Sequence, residues 1–167
     1  MKEVELFENF TEDASTVIHQ LLECSPIGVM ILNNQLKLIN INACLKDYFQ
    51  QKLHLEEKRF GNIFGCQYAM SENEMCGTKT QCDNCKLRNS MRSALTYNRV
   101  IKNLQLRKVF LIDNQKKIMW FDMTMVPITI KGESFLWVYL IDLTEHMKYK
   151  IESQMNEILS DEEKEIN

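Results

Sequence analysis

Residues 25–45 read SPIGVMILNNQLKLININACL, and their pattern decides the fold. Pro26 ends any helix before it, because its ring disfavours helical geometry in the preceding residue. A compact apolar run follows at 28–32, then the pair Asn33-Asn34, then a second apolar run at 36–39. Asparagine tolerates the backbone of a tight turn, so two strands meeting there form a hairpin. After it, NACLKDYFQ at 42–50 sets Leu45 and Phe49 about one helical turn apart and reads as a short helix.

Upstream, EDASTVIHQLLE at 12–23 places Ala14, Val17, Ile18, Leu21 and Leu22 on one helical face. Downstream, periodicity fades between 51 and 80, where Gly61, Gly65, Gly77 and polar residues interrupt it, so a loop-rich segment is expected. A helix resumes after Cys82, with Leu87, Met91 and Leu95 recurring every four residues.

The last third is β. Residues 100–112 are long enough for one strand with a bend, and Asp113-Asn114-Gln115 make a turn. Residues 117–128 alternate, with Met119, Phe121, Met123 and Met125 on one face and Trp120, Asp122 and Thr124 on the other. The methionines read as core. Pro127 is expected near that strand's end. Lys131-Gly132-Glu133 turn the chain, and 134–141 form the final strand. Asp142 and Glu145 have capping-box spacing before a helix. Its apolar residues Met147, Ile151, Met155 and Ile158 fall at gaps of four, four and three, a coiled-coil spacing kept for less than two heptads. The acidic tail after Ser160 is expected to fray.

This order predicts an α+β domain with a five-stranded antiparallel sheet and helices on one side. The chain has 167 residues, 45% hydrophobic, enough for one domain with a core of its own. A net charge of −3 and no basic stripe argue against direct nucleic-acid binding. The longest apolar run, 135–141, is strand-sized and argues against a membrane span. The start MKEVELFENF carries acids where a signal peptide needs basic then apolar residues, so a cytoplasmic protein is expected.

Residues 25–45 resemble the first hairpin and following helix of a PAS domain, with Asn42 at the customary asparagine position. IDLTEHMKYKIE at 141–152 is similar to the junction that leads from the last PAS strand into an output helix. The resemblance covers about residues 21–152. It implies an N-terminal helical extension at 1–24, a PAS-like domain at 25–143 and an output helix with acidic tail at 144–167. It also implies a sensory or regulatory module rather than an enzyme, acting on a histidine kinase or other signalling output. Apolar positions on the first and last helices point to a homodimer.

Between the hairpin helix and the third strand, Cys66, Cys76, Cys82 and Cys85 follow the pattern C-x9-C-x5-C-x2-C, inside a cysteine-rich segment at 61–95. The run CGTKTQCDNC resembles a cysteine-rich variety of PAS domain found in bacterial sensor proteins. In a reducing compartment, clustered cysteines serve metal binding or redox work more often than disulfides. The C-x2-C pair lets one turn present two thiolates to a metal. Gly65 and Gly77, beside Cys66 and Cys76, let the chain fold back closely. An iron–sulfur cluster, [4Fe–4S], suits a sensor, because its potential or oxygen lability is a signal. A four-cysteine Zn2+ site is the alternative, in a binding or scaffold module that recognises a small ligand or a partner protein. A thiol–disulfide switch, or free cysteines with no ligand, is a third reading.

Cys24 and Cys44 read as plain core. GNIFGCQY has Gly65 before Cys66 and no arginine after it, unlike a flavin-binding cysteine motif, so flavin is not expected. Lone His19, His54 and His146 give no reason to expect haem. No nucleophile elbow, phosphate-binding glycine loop or H-E-x-x-H appears.

Overall fold

The computed structural model describes residues 14–49, 59–70, 75–112 and 115–165. In chain order the elements are α1 (Ala14–Glu23), β1 (Gly28–Asn33), β2 (Leu38–Ile41), α2 (Ala43–Phe49), α3 (Phe60–Ile63) and α4 (Gln67–Met70). A single 3-10 turn (Thr80–Cys82) leads to α5 (Lys86–Thr96), β3 (Ile101–Ile112), β4 (Gln115–Ile130), β5 (Glu133–Asp142) and α6 (Thr144–Glu165). The strands form one antiparallel five-stranded sheet in the order β2-β1-β5-β4-β3. The expected α+β fold class and element order are therefore observed.

Alternation along β4 and β5 puts Phe121, Met123, Met125, Leu136 and Val138 on the inner face, all essentially without solvent contact. Burying each such side chain contributes about 1.5–3 kcal/mol. Leu87 and Met91 of α5 reach the same core, as their spacing requires. Phe64 stacks on Phe60 at 4.1 Å, and Phe110 meets Phe60 and Phe121 edge-on at 6.4 and 5.8 Å. The interior is thus filled with side chains near the sheet's centre.

Asn42 ties the first third together. Its Oδ1 accepts from the Val29 and Leu45 amides at 3.0 and 3.3 Å, and its Nδ2 donates to the Leu22 and Ile27 carbonyls at 3.0 and 2.9 Å. One buried amide therefore joins the end of α1, the start of β1 and the first turn of α2.

Five expectations need correction. The first hairpin is wider than a two-residue turn: Asn33 Oδ1 accepts from the Gln35 and Lys37 amides, Leu36 takes φ 62° and turns inward, and β2 starts at Leu38. The middle segment holds α3 and α4, each too short for periodicity to reveal. Pro127 lies within β4, opposite Leu136. It is tolerated because β3 pairs with β4 only up to Met125, which leaves that stretch an edge on one side. The acidic tail continues α6 as helix to Glu165. At the start of α6, Asp142 Oδ1 accepts from the Thr144 amide and hydroxyl, while Glu145 pairs with Lys148 at 2.7 Å.

The bend foreseen in β3 is a register shift between Ile101 and Leu104, with Asn103 at φ 54°. Lys131-Gly132 form the two-residue turn between Ile130 and Glu133. The turn at 113–114, His54 and the first residues lie outside the described residues. No helix among the described residues is long and apolar enough to cross a membrane.

Candidate metal centre

The expected cysteines lie in the region between α3, the segment before α5, and β3, where Cys66, Cys76 and Cys85 line one cavity. Cys66 is held against β3 by an antiparallel bridge to Phe110, and the Leu111 amide donates to the Gly65 carbonyl at 2.7 Å. Gly65 has φ 72°, and a Cβ there would collide with the Leu111 carbonyl, so glycine is required for this approach. Cys76 is fixed through its backbone: its amide donates to Asn62 Oδ1 and its carbonyl accepts from Arg59 Nη1, both at 2.8 Å. Gly77, at φ 98°, lies under the Arg88 guanidinium.

Cys82 is buried at the end of the 3-10 turn, and its carbonyl accepts from the Cys85 amide at 3.2 Å. Cys85 stands at the N-cap of α5. Its Sγ lies 3.1 Å from Lys108 Nζ, which donates to it from β3.

Cys66, Cys76 and Cys85 line one cavity together with Arg59, Arg88 and Lys108. Cys82 is buried and is not among the lining residues, yet its charge is felt by Cys76, as are those of Cys66 and Cys85. Burial pushes the Cys76 thiol up, the Gly61 amide bonded to its sulfur pulls it back, and the other three sulfurs push it further up. Lys108 is lowered by burial, but its bond to Cys85 and the charges of Cys85, Cys66 and Cys76 leave it raised overall. Lys108 is thus a cation bonded directly to one of these thiols.

The donor chemistry suits a thiophilic metal group. Two N–H donors, from Gly61 and Lys108, already address sulfurs, and Arg59 Nε is a buried donor without a partner beside them. Three cations offset the charge that four thiolates would bring. Among the described residues, no three His, Cys, Asp or Glu side chains stand close enough together to hold a single ion. Zinc with sulfur at about 2.3 Å requires its four sulfurs roughly 3.8 Å apart. The four iron ions of a cubane cluster, each taking one cysteine, space the sulfurs more widely. The cavity itself is about 30 Å³, room for an ion with a water.

The remaining cysteines differ from expectation. Cys24 is exposed rather than core: it follows Glu23, the last residue of α1. Cys44 is half-buried, with its thiol 3.4 Å from the Pro26 carbonyl. His19 and His146 are solvent-facing, and His19 lies 3.9 Å from Glu23.

Arg59, Gly61, Asn62, Arg88 and Lys108 escaped the sequence reading. For Lys108 a signal existed. Leu104, Leu106 and Phe110 are buried on the inner face of β3, and Lys108 shares their parity. A lysine on the core side of an alternating strand needs a partner inside.

No family model matches the chain, and no curated protein matches it in sequence. Solved structures do. One is the PAS domain of an HTR-like protein from Haloarcula marismortui, 12% identical, covering 83% of this chain and 98% of that one, with a TM-score of 0.52. A PAS domain from a two-component sensor histidine kinase is 10% identical over 79% of this chain and 98% of its own, TM-score 0.51. The PAS domain of a protein from Colwellia psychrerythraea is 11% identical over 80% and 99%, TM-score 0.53. With the sheet order, the flanking helices and the Asn42 junction, these likenesses lead to one conclusion: the chain has the PAS fold.

Proposed function

We propose that this chain is a sensory signalling module, not an enzyme, in which Cys66, Cys76, Cys82 and Cys85 hold an iron–sulfur cluster of the [4Fe–4S] type. The observation that carries this reading is that Cys66, Cys76 and Cys85 line one cavity, with Lys108 donating to Cys85 there. Such a group supplies a centre whose charge and integrity respond to redox state or oxygen.

The chain's own residues would do the rest. Cys85 immediately precedes α5, and α5 packs Leu87 and Met91 into the sheet core. At the far side of that core, the Trp120 amide donates to Thr144 Oγ1 at 3.1 Å and its carbonyl accepts from the Leu143 amide at 2.8 Å. A shift of α5 therefore bears on the strand that holds the start of α6. The likeness to a domain of a sensor histidine kinase supports a kinase or another signalling domain as the partner of α6. Exposed Ile18 and Leu21 on α1 and Ile151, Met155 and Ile158 on α6 support pairing of two copies through these helices.

A zinc ion is the second reading, favoured by the small cavity of about 30 Å³. Zinc has no redox chemistry, so the centre would then only hold the loop of a binding or scaffold module. Anaerobic purification with absorption spectra and metal and sulfide analysis decides between them. A brown protein with about four irons and four sulfides per chain, bleached by air, supports the proposal. A colourless protein with one zinc supports the second reading, and a chain that takes up neither metal overturns both. Light scattering of the same sample tests the homodimer; a monomer at micromolar concentration refutes it.

A further inference from the structure

Gly61 joins two of the thiols. Its carbonyl accepts from the Cys66 amide at 2.8 Å, and its own amide bonds the Cys76 sulfur. It has no side chain to keep the two cysteines apart: a Cβ there would lie 3.0 Å from Cys76 Cβ and 3.1 Å from Cys66 Cβ. Those two atoms, each about 3 Å from one point, are at most about 6 Å from each other, and a disulfide holds them about 3.5–4.5 Å apart. A relative shift of roughly 2 Å or less brings them into that range. Each cysteine also has an anchor of its own. Cys66 bridges to Phe110 of β3, and the Cys76 amide donates to Asn62 Oδ1. Of the other two thiols in the segment, Cys85 Sγ accepts from Lys108 at 3.1 Å, and Cys82 is buried away from the cavity lining.

We infer that Cys66 and Cys76 are a reversible disulfide pair, closed across Gly61 in the metal-free chain by exchange with a small disulfide such as oxidised glutathione. This does not rest on the proposed metal centre, because it needs two thiols and no metal. Cys76 is half-buried and Cys66 buried, so the oxidant meets Cys76 first. The Cys76 sulfur attacks the small disulfide, whose S–S bond breaks, and the first small thiol leaves with the Cys76 proton. The Cys66 sulfur then attacks the mixed disulfide and releases the second small thiol with the Cys66 proton. Two protein thiols are oxidised and one small disulfide is reduced to two thiols. A bond closed against two anchored backbones is strained, and strained disulfides are the readily reduced, regulatory ones. Closure ties the chain ahead of α5 to the edge of the sheet through the Cys66–Phe110 bridge.

The test uses the metal-free full chain, prepared with chelator and reductant and then equilibrated in glutathione buffers of rising oxidised fraction. Acid quenching, alkylation of remaining thiols and peptide mass mapping read which sulfurs are joined. One intrachain link, Cys66–Cys76, is expected, reversed by excess reduced glutathione, with Cys24, Cys44, Cys82 and Cys85 in no intrachain link. In Cys66→Ser the second step is lost, so Cys76 should carry at least tenfold more bound glutathione than in wild type. Gly61→Ala puts a methyl group 2.6 Å from Cys76 Sγ and should need at least tenfold more oxidised glutathione to reach half closure. Urea melts of the reduced proteins show that each variant is folded before it is scored. A dominant link between any other pair, no link in oxidised glutathione alone, or half closure of a folded Gly61→Ala in the wild-type buffer overturns the inference. Metal analysis of the untreated protein is read separately: absence of iron and zinc there refutes the metal centre and leaves the disulfide result to stand or fall by itself.

Discussion

Replacing Gly61 with alanine separates the fold from the site. A Cβ at this position would lie 2.6 Å from Cys76 Sγ, 3.0 Å from Cys76 Cβ and 3.1 Å from Cys66 Cβ. Comfortable contacts between such atoms begin at about 3.5 Å. Cys76 Sγ must therefore retreat by about 1 Å and Cys66 by about half that. Gly61 lies in α3 and does not have a positive φ, so alanine meets no backbone penalty. It gains about 0.8–1.0 kcal/mol of helix propensity. Overpacking costs about 1–3 kcal/mol. The two nearly cancel, and a net loss of about 0–2 kcal/mol is small beside a stability of about 5–15 kcal/mol.

The site has no such margin. Metal–sulfur distances tolerate only about 0.2 Å, several-fold less than the displacement imposed on Cys76. The Gly61 amide that bonds the Cys76 sulfur is also disturbed. Gly61→Ala is thus expected to fold, with a urea midpoint near that of the metal-free wild type, while its metal content per chain falls to a small fraction of wild type. Metal analysis after anaerobic reconstitution, beside a urea melt of the metal-free protein, reads both quantities. Wild-type metal content in Gly61→Ala refutes the placement of Cys76 at the centre. A metal-free variant weakened by more than about 3 kcal/mol refutes the claim that the crowding is local.

Three further outcomes follow from single contacts. Asn42→Ala removes four hydrogen bonds from a buried junction and strands backbone groups there; at about 1 kcal/mol each it should cost roughly 3–5 kcal/mol in urea, and a loss under about 1 kcal/mol contradicts the role given to Asn42. Asp142→Ala removes the acceptor for the Thr144 amide and should cost about 1 kcal/mol with visible loss of helical circular dichroism; an unchanged spectrum and midpoint count against the cap. In the metal-free protein the Cys76 thiol is raised, so the unfolded chain releases that proton first as pH rises. The stability tied to the neutral thiol is present below about pH 9 and declines above it toward the folded value. Urea midpoints should therefore drop from pH 8 to pH 10, and less so in Cys76→Ser; equal slopes in the two proteins refute the assignment.

How much of this was legible in the sequence depended on whether the signal was local. The inner face of β4 was readable because alternation is a property of neighbours, and Met119, Phe121, Met123 and Met125 are all buried as their parity requires. The pair Gly65 and Gly77 was readable for a similar reason, since both adopt the left-handed backbone beside their cysteines. The helices α3 and α4 were not, because four residues are too few to show a period. Cys24 was misread because an apolar setting in sequence does not say which side of a helix faces the sheet. The surroundings of the thiols were hidden by distance along the chain. Lys108 meets Cys85 across 23 residues, and Asn62 meets Cys76 across 14. The edge position of β3 in the sheet brings Lys108 to Cys85, while the fold of the segment before α5 brings Asn62 to Cys76.

That edge placement also bears on how a change at the thiols could reach α6. Lys108 pairs with Met119, and Arg107 pairs with Trp120, over whose ring its guanidinium lies at 5.8 Å. Met119 faces the core, and the next residue, Trp120, holds the start of α6 through both its amide and its carbonyl. Successive residues of a strand face opposite ways but share one backbone. Trp120 cannot shift along β4 without moving Met119 within a close-packed interior, where small displacements are costly. Both bonds of this anchor run to the backbone of Trp120, one from the Leu143 amide and one to the Thr144 hydroxyl, so the anchor follows the strand and not the Trp120 rotamer. A sensor built this way would answer to repacking around Lys108 and Met119, and be indifferent to substitutions of the exposed residues on β3. Met119→Ala should therefore loosen the start of α6 as read by amide hydrogen exchange at Leu143 and Thr144, whereas Gln105→Ala on the outer face should leave that exchange unchanged; equal effects of the two would break the link between core and helix.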